Sequence, residues 1–102
     1  MEHIRYSVAA CQTDNPNPID RRAMRANTDR ILSMIDSAVI GASPFLPVRL
    51  VVFPEFAHAA PVFETAAELI DKLAIPIPNE HTERLQQKAK EHDIYIQSGS
   101  ML

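Results

Sequence analysis

Glu55 is the residue best placed for chemistry in this sequence. It follows Leu50 to Phe53, an unbroken apolar and β-rich run, and then Pro54. A run without alternation is how a strand covered on both faces reads. Proline has no N–H to give the ladder and holds the residue before it extended, so pairing stops there and a carboxylate emerges at the strand's end. In an open α/β sheet, ligands sit at the rim formed by the carboxyl ends of the strands. The stretch VRLVVFPEF, Val48 to Phe56, is therefore an interior strand with an acid at its tip.

The other reactive side chains are weaker candidates. Cys11 is the only thiol, but mid-strand among alanines it reads as a small buried hydrophobe. His3, His58, His81 and His92 show no paired ligand spacing, so no metal is expected. His58 lies three residues from Glu55 and is within reach of a substrate, but a loop histidine is more often simply exposed. Arg21, Arg22, Arg25 and Arg30 alternate with Asp20, Asp29 and Asp36, which marks a solvated helix face and not a nucleic-acid patch. Asn27 adjoins the packing stripe of the same helix, where a buried hydrogen-bond role is expected.

The elements that must position these residues alternate along the chain. Tyr6 to Thr13 reads as a first strand, ended by the turn-rich DNPNP of Asp14 to Pro18. A long helix is predicted from about Ile19 to Ala42, because Met24, Thr28, Ile31, Ile35, Ala38 and Ala42 step by four and three. Gly41 sits where a left-handed cap is wanted, and Pro44 and Pro47 block continuation. A short helix over Glu64 to Leu73 and an extended IPIP at Ile75 to Pro78 follow Glu55. Asn79 caps a further, mostly surface helix from Glu80 to His92, with Glu80 and Arg84 at i,i+4. Ile94 to Ser98 is the third strand. The expected order is β-α-β-α-α-β with parallel strands and right-handed crossovers.

At 102 residues, with 46% hydrophobic content, the chain suits one domain. A net charge of −3 supplies no basic field for nucleic acid or an anionic membrane. The opening residues lack a signal-peptide pattern and no apolar run reaches membrane-spanning length, so a cytoplasmic protein is expected. A single cysteine excludes an internal disulfide framework. Three strands apolar on both faces need cover on both, yet the helices suffice for about one. The uncovered face and the short run after the last strand lead to the expectation of an amino-terminal portion of a larger fold, or of pairing with another chain.

The order of a VAACQTD-like first strand, a long helix bearing Asn27, LVVFPEF, and AIPIPNEHTERLQQKAKEHDIYIQSGS resembles the start of the nitrilase superfamily of carbon–nitrogen hydrolases. The resemblance spans residues 1–102 in the right order, and LVVFPE is its most specific motif. It implies an α-β-β-α sandwich in which two sheets pack face to face. It also implies a Glu-Lys-Cys catalytic set, amide, nitrile or carbamoyl substrates, and neither metal nor organic cofactor. Glu55 falls at the family's general base. Phe56 corresponds to the aromatic that often follows and faces the pocket, and is equally well read as core. The lysine and nucleophilic cysteine have no counterpart up to Leu102, so the 102-residue chain is expected to be inactive by itself, and homo-oligomers are expected.

Two other readings stand beside this one. The chain is alternatively a non-catalytic α/β interaction module that associates through its uncovered sheet face. A small doubly wound ligand-binding domain is disfavoured, since the whole chain has two glycines and no phosphate-binding loop.

Overall fold

A computed structural model describes residues 4–59 and 63–99. The fold is mixed α/β: β1 (Ser7–Ala10), α1 (Met24–Ala42), β2 (Val48–Val52), α2 (Ala66–Lys72), α3 (Glu80–His92) and β3 (Tyr95–Gln97). The three strands form one parallel sheet in the order β1-β2-β3, so β2 is the interior strand. β1 and β3 are shorter than the expected strands, Tyr6 to Thr13 and Ile94 to Ser98, because backbone pairing, and not side-chain type, sets their length.

Alternation along the strands sorts side chains onto two unequal faces. Ala9, Val51 and Ile96 stand in register across the sheet and face the helices. Against them pack Ile31 and Ile35 of α1 and Leu85 of α3, with Phe53 and Ile94 closing the core. The next row, Val8, Leu50 and Tyr95, is turned the other way. Val8 and Tyr95 are exposed, as are Ile4 and Tyr6 nearby, and no described helix covers that face. The interior strand is thus covered on one face only, although its composition suits two.

α1 begins at Met24 and not at Ile19. Asp20 accepts a hydrogen bond from the Ala23 N–H at 2.8 Å and holds a preceding turn that delays the helix. The buried stripe is the expected one, Met24, Thr28, Ile31 and Ile35, joined by Asn27. At the other end the expectation for Gly41 is corrected. It lies inside the helix, and the cap residue Ser43 stays right-handed with φ −57°. Both the N–H and the Oγ of Ser43 donate to the Ile40 carbonyl, so no left-handed residue is needed before Pro44.

α3 starts where Asn79 predicts. Its side chain accepts from the N–H groups of His81 and Thr82, and Thr82 returns the bond to the Asn79 N–H, a capping box. At the far end Asp93 takes the left-handed conformation at φ 54°, one of the few non-glycine types that tolerates it. The expected Glu80–Arg84 pair is replaced by pairs between helices: Glu80 with Arg25, and Arg84 with Asp29. Asp36 of α1 receives both Lys88 and His92 of α3. Packing α3 against α1 brings these partners closer than a neighbour one turn away.

α2 is smaller than predicted and stands apart from the sheet. Thr65 caps it by accepting from the Glu68 N–H. Leu69 and Leu73 join Met24, Ala59, Phe63 and Ile75 in a second apolar cluster. The guanidinium of Arg21 donates to the carbonyls of Ile70, Asp71 and Ala74, closing the helix from outside. The Ile77–Pro78 bond is cis. No described helix is long and apolar enough to cross a membrane.

Candidate functional site

All three strands run the same way, so their carboxyl ends share one edge, and Glu55 lies on it. The Phe53 N–H donates to the Gln97 carbonyl at 2.9 Å, and the Cys11 N–H donates to Val52 at 2.8 Å. These are the last ladder bonds on either side of β2. Pro54 then ends the pairing as its chemistry requires. Glu55 enters a turn, is exposed, and has no hydrogen bond or ion pair among the described residues.

The backbone around it is tightly constrained. Phe56 has φ 58°, a left-handed conformation that is rare and strained for an aromatic residue. Gly99, just past β3, has φ +78°, and a Cβ there would lie 2.3 Å from the Pro54 carbonyl oxygen and 3.0 Å from the Glu55 Cα. Only glycine permits that approach. Beyond Phe56 the loop turns inward, and Ala57, His58 and Ala59 are all buried.

Two asparagines hold this inward loop. Asn27 Nδ2 donates to the carbonyls of Pro16 at 2.9 Å and His58 at 2.7 Å. Asn15 Nδ2 donates to Ala57 at 3.2 Å. The expected buried hydrogen-bond role of Asn27 is what the structure contains. That of His58 is not: an exposed loop histidine is expected, but its side chain is buried, and neither ring nitrogen has a partner among the described residues. Burial, with the nearby His81 ring as a lesser cause, pushes its pKa down to about 4.

His81 is the second buried histidine. Thr28 Oγ1 donates to the Met24 carbonyl, so at 2.7 Å from His81 Nδ1 it accepts a hydrogen bond from that ring's N–H. Burial lowers the His81 pKa, against a smaller opposing effect of Glu80, and keeps the ring neutral. Nothing in the sequence marks these two rings as a pair, since they are brought together only when α3 docks on α1.

Cys11 lies one residue beyond β1, on the same edge as Glu55. It is half-buried, and burial raises its pKa, which disfavours the thiolate. With Ala10, Gln12, Val52, Phe53 and Pro54 it lines an open depression of about 360 Å³. Neither Glu55 nor Phe56 lines that depression, so the edge assembles an acid and a thiol without joining them. Phe56 is half-buried. His3 lies outside the described residues.

Asp36, Glu91 and His92 gather oxygen and nitrogen atoms in a way that suits a cation. Lys88 already provides one. Its ammonium lies 2.9 Å from Asp36 and 2.7 Å from Glu91. Hydrogen bonding to Lys88, then to His92, holds the Asp36 carboxyl below its ordinary range. The cluster is a rim of paired charges between α1 and α3. No family model matches the chain, and no curated protein is similar enough to register as a match.

Proposed function

We propose that this chain is the amino-terminal part of a carbon–nitrogen hydrolase of the nitrilase type, with Glu55 as its general base. The observation that carries the reading is the position of Glu55: an exposed carboxylate, without a partner among the described residues, two residues after the last ladder bond of the central strand, on the carboxyl edge. The edge is where α/β sheets hold ligands. The FPE motif and the order of the surrounding elements support the same reading.

In this reaction the carboxylate takes the proton of a cysteine thiol as the sulfur attacks the carbonyl or nitrile carbon. With an amide, ammonia or an amine departs and a thioester remains, which water cleaves to the acid. An ammonium and nearby N–H groups stabilise the oxyanion. The thiol and ammonium belong to sequence following Leu102 in the parent gene. Cys11 does not serve, because burial raises its pKa. Amides are preferred to nitriles as substrates, and Phe56 contributes to the pocket wall. The reaction needs no cofactor. The α-β-β-α sandwich, with a second sheet on the row Val8, Leu50 and Tyr95, belongs to the same proposal, as do a cytoplasmic location and a homo-oligomer.

The test is hydrolysis of simple aliphatic amides and nitriles by the complete gene product, its Glu55→Gln variant, and the 102-residue chain. Activity in the first alone supports the reading. Full activity in Glu55→Gln, or turnover by the short chain, overturns it. A second reading, a non-catalytic interaction module, is favoured by the exposed Tyr6, Val8 and Tyr95. It prevails if the complete gene encodes no lysine and cysteine on later strands.

A further inference from the structure

We infer that Asn27 and Asn15 are positioning residues that hold the turn carrying Glu55 in a strained backbone conformation. The inference rests on the reading of Glu55 as a base. Asn27 is almost fully buried, and both carbonyls it meets, those of Pro16 and His58, lie within bonding distance of the single nitrogen Nδ2. One nitrogen serving two carbonyls must carry two protons, which an amide NH2 does and a carboxylate or hydroxyl does not. Asn15 fixes the adjacent carbonyl, that of Ala57. Two consecutive peptide groups, two and three residues beyond Glu55, are therefore anchored to the β1–α1 connection and to α1.

Phe56 is the residue between the anchors and the acid, and it carries the strain, with φ 58°. A left-handed aromatic residue persists only where its surroundings over-determine it. On the other side Gly99 leaves no room for Pro54 and Glu55 to move toward β3, its backbone already lying against theirs. Glu55 is thus bracketed: Gly99 abuts the residue before it, and asparagines fasten the residues after it. Relaxing Phe56 to an ordinary negative φ would re-aim the peptide that bears the carboxylate. An asparagine that merely satisfies buried carbonyls would have no such effect on Phe56.

The one-bond Cα–Hα coupling and the intraresidue HN–Hα distance of Phe56 in the isotope-labelled 102-residue chain report the sign of its φ. Asn27→Asp keeps the size of the side chain and removes both donors. The expected result is loss of the positive-φ signature at Phe56 with a shift of the Glu55 carboxyl resonance, while the amide signals of β2 and β3 stay in place. A folded Asn27→Asp chain that keeps Phe56 at positive φ overturns the inference. Should that variant fail to fold, Asn15→Ala decides by the same coupling: averaging toward negative φ supports the inference, and an unchanged value overturns it. Neither result depends on turnover. In the complete gene product, Asn27→Asp is further expected to lower kcat about ten- to a hundredfold with KM little changed. If Phe56 responds but Glu55→Gln keeps full activity, the bracket stands and the base assignment falls.

Discussion

His58 and His81 face each other in the interior, with ring centroids 5.9 Å apart and planes inclined by 57°. Both are held neutral by burial, His58 with a pKa pushed down to about 4. An unfolded histidine titrates near 6.5. Between these values the unfolded chain binds the proton and the folded chain does not, so stability is complete above about pH 6.5 and is lost as pH falls toward 4. At about 1.4 kcal/mol per pKa unit, His58 alone removes about 3 kcal/mol over that window. Of the charged groups around His81, Glu80 favours its protonation, whereas Arg84 and Arg25 oppose it.

Urea unfolding at pH 7.5 and pH 4.5 checks this. A stability difference of a few kcal/mol is expected in the natural chain, and a much smaller one in His58→Phe, which keeps a ring in the space without a titrating nitrogen. Equal stability at the two pH values would show that His58 is not buried as described.

Gly99→Ala is expected to destabilise the fold. The residue is at φ +78°, and the added methyl meets the Pro54 carbonyl at 2.3 Å, a backbone atom that has no rotamer to escape into. Left-handed strain alone costs an alanine about 1–2 kcal/mol, and the clash adds to it. Thermal denaturation reads the loss. A variant as stable as the natural chain would mean that Gly99 does not lie against Pro54.

Glu55→Gln should separate stability from chemistry. An exposed side chain without partners among the described residues contributes within about 0.5 kcal/mol, so the melting curve of the 102-residue chain should not move. In the complete hydrolase the loss of a general base costs about 10²–10⁴ in rate. Large destabilisation by Glu55→Gln would point instead to a structural carboxylate.

The open sheet face carries its own expectation. Tyr95 is 80% exposed and Val8 52%, in one row with Leu50, and Ile4 and Tyr6 extend the patch. Light scattering of the 102-residue chain should give a mass above that of a monomer and rising with concentration. The double change Val8→Lys and Tyr95→Lys should return the mass to that of one chain. A natural chain that stays monomeric at high concentration would show that this face needs no cover.

Much of the fold is legible in the sequence where a local signal agrees with the tertiary environment. Pro54 terminates β2 because a missing N–H acts the same way in any context, and Asn79 starts α3 because the cap is made by its own neighbours. The stripe of Met24, Thr28, Ile31 and Ile35 is readable for the same reason. What is not legible depends on partners distant in the chain. Glu80 bonds Arg25, 55 residues away, and not Arg84 one turn on. His58 is buried by α1 and α3, which its loop sequence does not announce, and Gly99 is needed for a contact with Pro54. Glu55 itself is placed by local sequence, whereas the direction in which it is held comes from Asn15 and Asn27, residues of the preceding βα unit.

Arg21 bears on the order in which the chain folds. α2 has 7 residues, too few to outweigh the cost of nucleating a helix in water. Its final carbonyls are taken up by a guanidinium roughly fifty positions earlier, supplied from the turn that leads into α1. α2 therefore gains its closing bonds only after that turn and α1 are in place. It is expected to be a late arrival and an early departure, with amides that exchange with solvent well before those of β2.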